Sequence, residues 1–244
     1  MKNVVIIPIK ADNPDQLKLP LSMRDGKTLL ETVYESAKAT MIDDVVVTSN
    51  SSFIGKFCKE RGIAAVPSSK DAPNATVRCA EVAARFKPGI VKNVICWPIS
   101  YPYIPPYTIE EMIGRHKEDR VTTCIFNIQK CHTERFLADP SMVKVRAFHS
   151  KCADFTRCPL LGSQLHVGVY LYSVEQLGTL GRIDPTILSI EERLEQLSWL
   201  QFGVRIDNVL WRDKTYTDFP PRVLQSDLLE QEPLQDEPQC DLLS

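Results

Sequence analysis

The sequence predicts an α/β fold: a mostly parallel central sheet with helices on both faces and an antiparallel extension. Three observations predict it. Short apolar runs alternate with helical patterns throughout the first half of the chain. These runs are continuous rather than alternating, as strands buried on both faces require. The second half then changes to several strand-like stretches with fewer helices between them.

The elements follow in order. Residues 4–7 (VVII) form the first strand. A helix over 29–40 carries Leu29, Leu30, Val33 and Ala37 on one face. Residues 44–49 (DVVVTS) form the second strand, and 52–61 a helix stopped at Gly62, the residue best suited to a left-handed cap. A third strand at 63–66 precedes Asn74, an N-cap for a helix reaching about residue 86. The fourth strand is 93–97 (NVICW), and a helix over 108–118 leads to a strand over 121–128. Further strands are predicted at 143–148, 166–172 and 204–210. Between them Ser189 and Glu192 form a capping-box pattern. Ile187, Ile190, Leu194, Leu197 and Leu200 then recur at helical spacing up to Gly203, so the 189–201 helix offers its apolar face either to the core or to a second copy.

No linker divides residues 1–223, which read as one domain. From 224 to 244 the chain carries Asp227, Glu230, Glu232, Asp236, Glu237 and Asp241 without a compensating cation, and Pro233 and Pro238 break any helix. This reads as an acidic, flexible tail, with docking on a protein partner as the alternative. The net charge of −2 excludes a general binder of nucleic-acid backbone. No apolar run reaches the roughly 18 residues of a membrane span. The N-terminal stretch lacks the length and flanks of a signal peptide, so the expected location is cytoplasmic. Eight cysteines without a C-x-x-C pair fit reduced thiols. Cys131 and His132 read as an ordinary loop pair, having no partners at zinc-ligand spacing.

Ligands of open parallel sheets bind at the carboxyl ends of the strands. That rule selects the 8–21 loop with Lys10 and Lys18, Asn50, the 68–74 loop, and the 98–106 loop. Two lysines, a helix N-terminus at Asn74, Ala75 and Thr76, and Arg78 in its first turn suit a phosphorylated ligand. There is no P-loop and no glycine-rich dinucleotide fingerprint.

Certain stretches in these loops and beyond carry a resemblance. They are Ile7-Pro8-Ile9-Lys10 leading to Leu19-Pro20-Leu21, Asn74-Ala75-Thr76-Val77-Arg78, and Pro98-Ile99-Ser100-Tyr101-Pro102. Later come Phe155-Thr156-Arg157-Cys158-Pro159, His166-Val167-Gly168-Val169-Tyr170 and Leu194-Glu195-Gln196-Leu197. In order and spacing they resemble the I-P-A-R…L-P-G-K-P-L, S-G-T-x-R, Q-G-D-E-P, F-S-R-x-P, H-x-G-x-Y and L-E-Q-L motifs of the CMP-Kdo synthetases, the cytidylyltransferases of 3-deoxy-manno-octulosonate. The resemblance implies a glycosyltransferase-A-like nucleotidyltransferase fold, a homodimer, and magnesium-assisted transfer of CMP from CTP to a sugar acid. It implies that Pro8, Asn74, Ala75, Thr76 and Arg78 hold the nucleotide, with Lys10, Lys18 and Arg78 neutralising its phosphates. Arg157, His166, Tyr170, Glu195 and Gln196 would hold the sugar acid, and Asp218 a magnesium ion.

The departures are specific. The family's metal aspartate falls at Ser100, its phosphate lysine at Leu19, a loop arginine at Asp15 and a glutamine at Pro98. Asp12, Asp15 and Asp71 are the candidates for a displaced carboxylate. Loss of such phosphate-neutralising groups costs about two to three orders of magnitude in rate. Two expectations therefore stand: a divergent cytidylyltransferase, or an inactive homologue repurposed to bind a protein or ligand.

Overall fold

A computed structural model describes residues 1–127 and 133–211. The first half runs β1 (Lys2–Ile9), α1 (Pro14–Leu21), β2 (Met23–Arg24), β3 (Lys27–Thr28), α2 (Leu29–Lys38), β4 (Asp44–Ser49), α3 (Ser52–Glu60), β5 (Ala65–Pro67), α4 (Ala75–Ala83) and β6 (Val91–Cys96). The second runs α5 (Pro106–Arg115), β7 (Arg120–Phe126), α6 (Thr133–Ala138), β8 (Lys144–Phe148), β9 (Lys151–Thr156), β10 (Gln164–Ser173), α7 (Val174–Leu180), α8 (Ile187–Glu192), α9 (Glu195–Gln201) and β11 (Arg205–Trp211).

Among the described residues, one nine-stranded sheet has the order β5-β4-β1-β6-β10-β7-β11-β9-β8. Strands β5, β4, β1 and β6 are parallel, β10 runs antiparallel to β6 and β7, and β8 folds back to pair with the start of β10. The expected parallel sheet with an antiparallel extension is present. Strand β1 shows why its run is continuous. Val5, Ile7 and Ile9 pack with α2, α3 and α5 on one face, while Val4 and Ile6 pack with α4, α7 and α9 on the other. Full burial of each such side chain stabilises the fold by about 1.5–3 kcal/mol. Helix α7 approaches α4 closely: a Cβ on Gly181 would stand 3.1 Å from Ala80 Cβ.

The fold departs from expectation in several places. Part of the 8–21 loop is α1, begun by Asn13, whose side chain accepts from Gln16 N, and ended where Pro20 withholds its N–H. The short β2–β3 hairpin, β9 and α7 were not foreseen. The capping box at Ser189 is corrected: Ser189 lies inside α8 and its hydroxyl donates to Thr186 O, while Glu192 accepts from Thr156 Oγ1 and Arg157 N. The single 189–201 helix is also corrected. Arg193 adopts the left-handed conformation (φ 53°, ψ 46°), Leu194 is extended, and α9 starts afresh at Glu195. The break leaves Ile187 and Ile190 exposed and turns Leu197 and Trp199 into the core. Cys131–His132, the end of the 121–128 strand, Asp218 and the acidic tail lie outside the described residues.

Candidate functional site

A cavity of about 750 Å³ opens between β10, α9 and the start of α4, within the size range of small-molecule sites. Register places it correctly: Tyr170 on β10 pairs with Cys96, the last residue of β6, so residues 166–170 flank the carboxyl end of the parallel strands. A register shift between His166 and Tyr170 bulges β10 here. Thr123 Oγ1 donates to Val169 O (2.7 Å), satisfying a carbonyl the bulge releases. That hydroxyl has one proton, so His166 Nε2, 3.0 Å away, is the donor to it and the imidazole is the Nε2–H tautomer in its neutral form. The ring packs on Phe155 and Tyr170.

Two oxygens of this cavity wall lack partners. Tyr170 Oη and Glu195 Oε2 are buried and make no hydrogen bond among the described residues. Buried polar atoms are normally paired, so such orphans call for an explanation, and a ligand supplies one. The rest of Glu195 is organised. Its Oε1 accepts from Thr76 Oγ1 (2.9 Å), and the Tyr172 hydroxyl, 3.1 Å from the same Thr76 oxygen, donates to it in turn. Burial outweighs these bonds and pushes the Glu195 carboxyl up to about 7, although part of the residue's surface reaches solvent. Burial, then the nearby Glu195, pushes the Tyr170 hydroxyl well above its ordinary range. Gln196 is buried beside them and lines the same cavity. Asn74 joins the cavity to α4, its side-chain oxygen accepting from Val77 N as the expected N-cap.

The β1–α1 and β5–α4 loops, where the sequence reading expects a phosphorylated ligand, are built differently. Lys10 pairs with Asp12 at 3.1 Å, and Asp12 accepts from Asn50 Nδ2 (2.6 Å), whose Oδ1 holds Ala11 N. The bond to Lys10 holds the Asp12 carboxyl below its usual range. Arg78 is buried and braces the 68–72 loop through Ser68 Oγ, Ser69 O and Ala72 O, with burial lowering its pKa. Lys18 lies on exposed α1 with Asp15 at 2.8 Å. Leu19 packs against the core, and Pro8 pairs with Thr48 inside the sheet. Ala75 packs against the core at the first turn of α4. Trp97 Nε1 donates to Tyr101 O and so fixes the loop carrying Ser100.

Arg157 is a bracket between segments. Its Nε donates to Glu192 O (2.8 Å) and its Nη1 to Pro140 O (3.0 Å), while the buried Lys144 Nζ donates to Arg157 O and Asp139 O. Asp218, the carboxylate that the resemblance assigns to magnesium, lies outside the described residues. Among the described residues no three His, Cys, Asp or Glu side chains converge, Ser100 offers only a hydroxyl, and Asp12 is already paired with Lys10.

A fold of nucleotidyltransferase type with a ligand cavity at its strand ends now meets known proteins. The profile of the cytidylyltransferase family matches residues 20–206, and the chain belongs to that family. Its relatives narrow the likeness. It is 30% identical over 230 residues to the 3-deoxy-manno-octulosonate cytidylyltransferase of Geotalea daltonii, covering 84% of this chain and 88% of that one. Identity to the protein of the same name from Chloroherpeton thalassium is 29% over 226 residues, covering 86% and 89%. Among solved structures, CMP:2-keto-3-deoxy-manno-octonic acid synthetase complexed with CTP matches with a TM-score of 0.75 at 23% identity, covering 86% of this chain and 90% of that one. The inositol-1-phosphate CTP transferase from T. maritima matches at 0.60 with 10% identity, covering 86% of each. The expected fold and family are borne out, and nothing in these likenesses supports the inactive alternative.

Among the cavity-wall residues that sequence reasoning missed are Arg182, Arg193 and Trp199. The arginines stand in no recurring pattern, and Trp199 read only as part of a helix.

Proposed function

We propose that the protein transfers CMP from CTP to a hydroxyl of a sugar acid and releases pyrophosphate. The observation that carries this reading is the pair of buried, unpartnered oxygens, Tyr170 Oη and Glu195 Oε2, in the wall of one cavity of sugar size. The names of the relatives support the nucleotide and the acceptor class. In this reading Tyr170 Oη donates to an acceptor hydroxyl and Glu195 Oε2 accepts from one. The Thr76–Tyr172 chain holds the carboxylate in place. The acceptor oxygen attacks the α-phosphorus as its hydroxyl proton passes to solvent, the bond to the bridging oxygen breaks, and pyrophosphate departs. Lys10 meets the triphosphate after exchanging Asp12 for it.

The proposal extends to the setting of the reaction. The buried free cysteines support a reducing compartment, and no helix among the described residues is long and apolar enough to cross a membrane. The exposed Ile187, Leu188 and Ile190 on α8 support a homodimer through the α8–α9 segment. Light scattering at micromolar concentration should give twice the chain mass; a monomer removes that part. The main test is calorimetric titration with CTP, followed by a pyrophosphate-release assay with 3-deoxy-manno-octulosonate. The reading expects saturable CTP binding and turnover that needs the sugar acid. Absence of CTP binding at millimolar concentration overturns it.

A further inference from the structure

A sugar acid brings a carboxylate as well as hydroxyls, and that anion needs a cation. The resemblance offers Arg157. Its guanidinium instead joins the Glu192 and Pro140 carbonyls, where it pins the end of α8 to the β8–β9 edge. Two other cations line the cavity, Arg182 and Arg193. Both are exposed, and neither side chain makes a hydrogen bond or ion pair among the described residues.

Arg193 has a second distinction. It is one of three residues other than glycine with positive φ among the described residues, and of the three it alone lines the cavity. The left-handed conformation costs an L-residue free energy, and such outliers cluster at ligand sites. Here the strain has a visible cause. Glu192 is held by Thr156 and Arg157, while Thr76 holds Glu195, so the two residues between them must turn sharply. A glycine would make that turn with less strain.

We propose that Arg193 is the specificity residue for the acceptor's carboxylate, presented to the cavity by the break between α8 and α9. The assignment rests on the sugar-acid reading above. An ion pair with Arg193 at the cavity mouth, beside the hydroxyl-binding Tyr170 and Glu195, would select an acidic sugar over a neutral one of the same shape. Arg182 adds positive charge to the same wall, partly offset by Asp184.

The test is calorimetry in the presence of CTP, using 3-deoxy-manno-octulosonate and its neutral carboxamide as probes. The wild-type protein should bind the acid about tenfold more tightly than the amide, the scale of a charge-assisted hydrogen bond at a partly open site. Arg193→Gly should reduce that preference to about twofold or less, with amide binding unchanged. Its melting temperature should equal or exceed that of the wild type, because glycine relaxes the left-handed turn; this separates lost recognition from lost folding. Arg193→Lys should keep most of the preference. Retention of the full preference by Arg193→Gly overturns the assignment and leaves the sugar-acid reading intact. Equal wild-type affinity for acid and amide also overturns it. Failure of the wild type to bind either probe with CTP present overturns the assignment together with the reading on which it rests.

Discussion

The two halves of the site solve the problem of polar groups in opposite ways. Around β10 and α9, oxygens are buried and left without partners among the described residues. Around β1 and α4, cations are already satisfied: Lys10 by Asp12, Lys18 by Asp15, Arg78 by loop oxygens. The first half is preorganised for hydroxyls and has little to rearrange. On the proposed function, the second must exchange internal partners for phosphates before it contributes affinity. Affinity and specificity should therefore be strongest on the sugar side, while the nucleotide side tolerates substitution of its exposed charges.

The largest expected effect sharpens the role of Arg78. Arg78→Ala leaves the Ser69 and Ala72 carbonyls without their donor and opens a buried space. Urea unfolding should show a loss of about 3 kcal/mol. A loss of CTP affinity with stability unchanged would instead make Arg78 a phosphate ligand and erase the contrast.

Glu195 gives an effect of similar size. Burial holds its carboxyl at about 7 in the folded state, above the 4.5 of an ordinary glutamate. A carboxyl raised in this way favours the folded state fully below about pH 4.5, and that contribution is lost as pH rises through 7. The shift corresponds to roughly 3 kcal/mol. Unfolding measured from pH 4.5 to 8 should show this decline in the wild type, and Glu195→Gln should flatten it. An unchanged slope in the variant would mean that the carboxylate is solvated.

The exposed cations come last. Asp12→Asn releases Lys10 and should tighten CTP binding by about two- to fivefold at low salt, an effect screened away at high salt. Lys18→Ala should change CTP affinity by less than about twofold, since α1 holds that side chain in an exposed pair. A tenfold loss would place Lys18 on the phosphates and make the two halves alike.

Much of the fold was legible because β1, β4 and β6 are buried on both faces, and two-sided burial writes an unbroken apolar run. Strand β9 was not legible, since Lys151, Ala153 and Asp154 interrupt its buried Cys152 and Phe155. The continuous 189–201 helix was misread because apolar spacing persists across Arg193, and side-chain periodicity does not register a backbone reversal at a single residue. The cavity residues His166, Tyr170, Glu195 and Gln196 were found through motif resemblance, and the structure brings all four together. Arg157 was also found that way, but its carbonyl contacts depend on a chain path that spacing does not encode.

Trp199 packs edge-on against both Tyr170 (5.2 Å between centroids) and Tyr172 (6.0 Å) in the cavity wall. Trp97 and Trp211, the other indoles, sit in the cluster on the opposite face of the sheet. Light absorbed by those tyrosines passes to the nearby indole, whose emission reports the polarity of its surroundings. Occupancy of the cavity is thus written into the chain's own fluorescence, and a Trp97→Phe, Trp211→Phe background would let it be read from one residue without an added label.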